Sequence, residues 1–154
     1  MRHGLLMMMV LVFSVATSAG EVPSVPADVA EPPEHAEMAE SGLAWVVLEE
    51  GEGERRPAPE DEVTVHYTGW QTDGEQFDSS HERGEPVSFR LGDLIDGWVE
   101  GVGMMTQGEV RRLWIPGEMA YDGRDDRPDA PRGMLVFEVE LLDIEPADSG
   151  ESEY

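Results

Sequence analysis

The stretch "DLIDGWVEGVGMM", residues 93–105, is where the chain changes rhythm. Leu94, Trp98, Val102 and Met105 recur at intervals of three and four, the spacing that aligns side chains on one face of an α-helix. Gly97, Gly101 and Gly103 lower the helix propensity of the segment. They also leave its backbone free to lie close against a sheet. The stripe predicts one short helix, and its flanks predict what that helix covers.

On both sides the period drops to two. In "EVTVHYTGW", residues 62–70, Val63, Val65 and Tyr67 point one way and Thr64, His66 and Thr68 the other. "PVSFRLG" (86–92) puts Val87, Phe89 and Leu91 inward, and "VRRLWIP" (110–116) sets Leu113 and Ile115 against Arg112 and Trp114. "LAWVVLEEG" (43–51) and "MLVFEVELLDI" (134–144) read as further strands, the latter with Leu135, Phe137, Val139 and Leu141 on one face. Asp73-Gly74 is a turn signal, and "GEGERRPAPED" (51–61) is a loop. Short connections between alternating strands predict an α+β domain, an antiparallel sheet with one face covered by the helix.

The ends differ in composition. Residues 1–19 have a short basic start, an apolar run from Leu5 and small residues up to Ala19, the pattern of a cleaved secretory signal. The run is short for a membrane span of about 20 apolar residues. An exported protein, periplasmic or secreted and not held in the membrane, is expected. Residues 20–42 mix Pro, Ala and Glu with few large apolar side chains, which predicts a flexible acidic linker. The folded domain is read over 43–145 and a polar acidic tail over 146–154.

Charge and composition exclude several functions. The chain carries 34 acids against 10 bases, every base is Arg, and the formal net charge is −24. Nucleic acid and anionic membranes need a cationic patch, so neither is an expected partner. The acidity fits either a soluble surface that self-repels, favouring a monomer, or adaptation to high salt. Cys is absent, which rules out disulfides and thiolate metal sites. No Gly-x-Ser-x-Gly elbow surrounds Ser79 and Ser80, and "GWVEGVG" lacks the spacing and Lys of a phosphate loop. His66 reads as a surface or structural residue.

Asp122, Asp125, Asp126 and Asp129 in "AYDGRDDRPDAPRGM" (120–134) lack the alternate spacing of a calcium loop. Interleaved with Arg124 and Arg127, they read as local charge pairing on a solvated loop, with no metal and no cofactor. What remains is aromatic. Tyr67 and Phe137 lie on inward faces, Trp98 on the helix stripe, Phe77 beside Asp78, and Tyr121 at a strand's end. They fit either a plain core or an apolar cleft with a few polar groups.

Four motifs in order, "VTVHYTGWQTDGEQFDSS", "LIDGWVEGVGMMTQGEVRRLWIP", "AY" and "LVFEVELL", resemble the FKBP-type peptidyl-prolyl cis-trans isomerases over about Leu43 to Ile144. The resemblance implies a five- to six-stranded antiparallel sheet wrapped around one short helix. It also implies a cleft lined by Tyr67, Phe77, Asp78, Ile95, Trp98, Tyr121 and Phe137. Trp98 would be the floor beneath a proline ring, and Tyr67, Phe77 and Phe137 the walls. The Ile95 N–H and the Tyr121 hydroxyl would face substrate carbonyls. Arg83 would partner Asp78, with Val87, Leu94 and Pro128 at the rim.

Proline-containing polypeptides are the implied substrates, and macrolides are implied ligands. The implied alternative use of the cleft is a non-enzymatic grip on proline-containing segments. The chain departs from the family pattern at Val87, where relatives often carry an aromatic. It departs also at Asp122 and Gly123, where Gly usually comes first, and at Pro128 and Asp129, where apolar residues are common. Arg124, Arg127 and Arg132 in that loop suggest acidic neighbours of the proline.

Overall fold

The computed structural model describes residues 22–147; the leader and all but the first two residues of the tail lie outside them. The strands are β1 (Glu37–Met38), β2 (Ala44–Glu49), β3 (Glu62–Gln71), β4 (Gln76–Ser79), β5 (Val87–Arg90), β6 (Val110–Ile115) and β7 (Leu135–Glu145). They form one antiparallel sheet in the order β1-β2-β6-β7-β3-β4, with β5 also paired to β3. The central β3 bonds β7 along its whole length. Its other edge is shared end to end, Glu62 to Val65 with β5 and Thr68 to Trp70 with β4. The five strands read from the sequence are present with two additions, β4 and the two-residue β1, the latter from the segment read as a linker.

Two short α-helices interrupt the strands, α1 (Ser80–Arg83) and α2 (Asp96–Val102), with 3-10 turns at Leu91–Asp93 and Gly117–Met119. α2 is shorter than its stripe. Leu94 precedes it in extended backbone and Met105 follows it, yet Trp98, Val102 and Met105 are all buried. The helix lies on β6 because two of its glycines permit contact. A Cβ at Gly97 would come within 2.3 Å of Ile115, and one at Gly101 within 2.8 Å of Leu113. Gly103 does not share this role, since a Cβ there would meet the Val99 carbonyl. α1 was not read from the sequence. The Ser79 hydroxyl caps it, accepting from the Glu82 N–H, and Gly84 ends it at φ +84°.

The inner face packs Val63, Val65, Leu113, Ile115, Val139 and Leu141 against α2. The outer face carries a second cluster of Ala44, Trp70, Trp114 and Val136. It is covered by the segment expected to be flexible. Val29 and Ala36 pack on the cluster, and Pro26 is buried. The Trp114 Nε1–H donates to the Asp28 carbonyl at 3.0 Å, and Arg112 donates to the Asp28 carboxylate at 3.2 Å. Over its described part, residues 22–42, the flexible-linker reading is therefore corrected. Composition judged the segment alone, whereas two large indoles left bare on the sheet reward its ordering. Among the described residues no helix is long and apolar enough to cross a membrane.

Candidate active site

A cavity of about 190 Å3 opens between the start of α2, strands β3, β4, β5 and β7, and the 120–134 loop. Trp98, nearly buried, forms its floor. Its indole meets Tyr67 edge-on at 5.2 Å between ring centroids, Phe137 at 5.5 Å and Phe89 at 6.3 Å. Phe77 stands edge-on to Phe137 at 5.5 Å. This last contact needs Gly69. A Cβ there would come within 2.7 Å of Phe77 and 2.8 Å of Phe137.

Phe77 and Asp78 are neighbours in sequence, so strict alternation would send them to opposite faces. A β-bulge prevents this. Asp78 pairs with Gly69 and Gln76 with Trp70, which leaves Phe77 as the extra residue. Both side chains then line the cavity.

The polar groups of the wall form a closed set. The Tyr67 hydroxyl donates to Asp78 at 2.5 Å. Arg83 donates to the other Asp78 oxygen at 2.6 Å and to the Tyr67 oxygen at 3.1 Å. Burial first, and then the bond to Asp78, push the Tyr67 phenol up to about 12. Its proton is thus retained and committed to Asp78. The bonds to Asp78 and Tyr67 hold the Arg83 guanidinium protonated, well above its ordinary value. Behind α1, His66 and His81 stack at 4.2 Å, and His66 Nδ1 bonds the Ser80 hydroxyl at 2.8 Å. His66 thus has a structural place, tying α1 and with it Arg83 to β3.

Ile95 caps α2, and its carbonyl accepts from the Trp98 and Val99 N–H groups at 2.9 and 3.1 Å. Its own N–H enters none of the backbone bonds of this turn. Tyr121 enters from the far side, at the start of the loop. That loop holds itself together. Arg132 donates to the carbonyls of Tyr121, Arg124 and Arg127. Asp122 accepts from the Gly133 N–H at 2.8 Å, and Arg124 grips Asp126 through two contacts of 2.9 Å.

The seven cleft residues named from the sequence, Tyr67, Phe77, Asp78, Ile95, Trp98, Tyr121 and Phe137, all line this cavity, as does Leu94. Three rim residues stand elsewhere. Arg83 acts on the cavity only through Asp78 and Tyr67. Val87 is half-buried against the core, and the wall on β5 is Phe89 instead. Val87 and Phe89 share a strand face, and the Phe89 ring meets Trp98. Pro128 lies in the exposed loop, on a separate groove with Asp129 and Ala130. Four lining residues were not marked as site residues: Phe89, Asp93, Arg124 and Arg127. The alternation in "PVSFRLG" held a signal for Phe89. Nothing local marked which loop arginines face the cavity.

The family model for FKBP-type peptidyl-prolyl cis-trans isomerases matches residues 53–142, which include every residue lining this cavity. The chain belongs to this family. It is 46% identical over 107 residues to the FKBP-type peptidyl-prolyl cis-trans isomerase FkpA of Escherichia coli K12, covering 70% of the chain and 39% of FkpA. It is 42% identical over 113 residues to the macrophage infectivity potentiator of Trypanosoma cruzi, covering 71% of the chain and 57% of that protein. The crystal structure of E. coli FkpA superposes with a TM-score of 0.69 at 44% identity, over 75% of this chain and 54% of that one. That of AtFKBP13 gives 0.62 at 32% identity, over 70% and 97%. The chain spans about half the length of the curated relatives it matches. In this FKBP-type domain Phe89 supplies the aromatic side chain that Val87 does not, and the strap over 22–38 covers the outer face of the sheet.

Proposed function

We propose that this chain is an exported prolyl isomerase that accelerates rotation about X–Pro bonds in proline-containing polypeptides. The observation that carries the reading is the cavity itself, aromatic walls converging on the Trp98 floor, with the charged groups at its side and mouth mostly held by partners. Rotation must break amide resonance, behind a barrier of roughly 18–20 kcal/mol. The twisted transition state has less charge separation than the planar amide. An apolar pocket therefore disfavours the ground state relative to it. Each 1.4 kcal/mol so gained is about tenfold in rate.

In this reading the proline ring sits on Trp98 between Tyr67, Phe77 and Phe137. Its carbonyls meet the Ile95 N–H and the Tyr121 hydroxyl, and held donors supply orientation. The hydroxyl of Tyr67 has a different task, because its proton already belongs to Asp78. Asp78 and Arg83 set the position of the Tyr67 ring. No group needs to act as a nucleophile. The leader pattern over 1–19 supports export, where refolding chains meet slow proline isomerisation. The strong negative charge supports a monomer. Macrolides are a proposed second ligand class for the same walls, to be tested by competition with peptide.

The test is an isomerisation assay on proline peptides with the wild type, Tyr121→Phe and Trp98→Leu. Acceleration by the wild type, reduced in both variants, is the expected result. No acceleration over background by pure wild-type protein sinks the reading.

A further inference from the structure

Four charged side chains line the cavity: Asp78, Asp93, Arg124 and Arg127. Three already have a partner of opposite charge. Asp78 pairs with Arg83 at 2.6 Å, Asp93 with Arg90 at 3.0 Å, and Arg124 with Asp126 at 2.9 Å. Arg127 forms no ion pair among the described residues. Arg127 is therefore the one charge lining the cavity that has no ion-pair partner among the described residues, on a protein whose formal net charge is −24.

That charge is held in place. The Arg127 guanidinium lies over the Tyr121 ring at 5.3 Å from its centroid. Its backbone is fixed on both sides, the N–H donating to the Arg124 carbonyl at 3.2 Å and the carbonyl accepting from Arg132 at 3.0 Å. Arg132 is spent on the loop carbonyls and Arg124 on Asp126. A guanidinium over an aromatic ring still has N–H donors to offer, and their planar fork matches a carboxylate. The overall negative charge opposes an acidic client at long range. That field is screened beyond roughly 8 Å at physiological ionic strength, while a direct contact is not.

We propose that Arg127 is a specificity residue of the cleft, selecting segments that carry an acidic side chain next to the proline. The proposal rests on the isomerase reading and deepens it. Arg127 would receive the carboxylate at the mouth while the proline ring occupies the aromatic floor below. A rim that repels or ignores acidic residues would instead leave the cleft with a preference set by its apolar walls alone.

The test compares kcat/KM for a Glu-Pro and a Leu-Pro peptide in wild type, Arg127→Gln and Arg127→Glu. The ratio is taken within one preparation, so a partly folded variant cancels out of it. The Glu-Pro to Leu-Pro ratio should fall about two- to fivefold in Arg127→Gln, the range of an exposed ion pair, and further in Arg127→Glu. Equal ratios in all three proteins, with Leu-Pro turnover intact, overturn the proposal and leave the isomerase reading standing. If neither peptide is accelerated, the isomerase reading fails. Fluorescence anisotropy of the same two labelled peptides then decides the proposal, by the same ratio taken from dissociation constants. A ratio unmoved by either substitution overturns it.

Discussion

The aromatic wall of the cavity is held by residues far apart in the chain, whereas the loop at its mouth is held largely by itself. Tyr67, Phe77, Phe89, Trp98 and Phe137 come from four strands and a helix, and each ring touches another. The loop over 120–134 is tied by Arg132, Asp122 and Arg124, all within it. A change in the wall thus disturbs the core. A change in the loop alters charge at the mouth and leaves the sheet alone. An FKBP-type domain built this way can keep its aromatic wall while the loop beyond Tyr121 varies.

The largest effect expected is at the floor. Trp98→Ala should cost about 3–5 kcal/mol of stability in urea unfolding, the range for emptying a buried aromatic site. A loss below about 1 kcal/mol would mean that the wall is not part of the core, and the comparison breaks. Gly97→Ala comes next. Its Cβ would sit within 2.3 Å of Ile115, and overpacking of this kind costs about 1–3 kcal/mol. The helix-propensity gain of about 1 kcal/mol recovers only part of that. A variant more stable than wild type would show that α2 can lift off β6 without penalty.

Asp78→Asn probes the polar set of the wall. The pair with Arg83 is well exposed, so the stability cost at neutral pH should be about 1 kcal/mol or less. The sharper readout is the titration of Tyr67. Its folded value lies above the ordinary phenol value, so the stability it contributes is full below the unfolded pKa. That stability is lost as pH rises through about 12. Without the Asp78 charge the Tyr67 transition should move to lower pH in an absorbance titration. It should stay above the ordinary phenol range, because burial is the larger cause. An unmoved transition would detach Tyr67 from Asp78.

Arg132→Ala should be the mildest for the fold as a whole, within about 0.5 kcal/mol, as for a surface substitution. Locally it removes the donor to the carbonyls of Tyr121, Arg124 and Arg127. Amide exchange over the loop should quicken while β3 and β7 keep their protection. Equal quickening in both would erase the distinction between wall and loop.

Much of the wall was legible in the sequence because its signals are local. Alternation in β3 and β7 assigned Tyr67 and Phe137 to the inner face, and the stripe in α2 did the same for Trp98. Phe77 and Asp78 stand out in sequence as an aromatic beside a lone acid, and the resemblance implies their place in the cleft. Alternation alone would have separated them, and only the bulge opposite Gly69 explains why both face one cavity. Val87, expected at the rim, packs on the core, and Phe89 on the same strand face lines the cavity. The charges of the loop gave no such signal. Arg124, Arg127 and Arg132 look alike in sequence, and their partners distinguish them only in three dimensions.

By itself the sequence determined the period of five strands and of α2, and the aromatic stock of the site. Those depend on side-chain spacing along a backbone of fixed geometry. Tertiary structure alone decided the fate of residues 22–42. Their composition predicts disorder, but the sheet exposes Trp70 and Trp114 to them, and burial of that surface outweighs the cost of ordering. It also decided which arginine of the loop has neither an ion pair nor a side-chain hydrogen bond among the described residues. Pairing depends on where a guanidinium ends up in space, and the order of residues does not fix that.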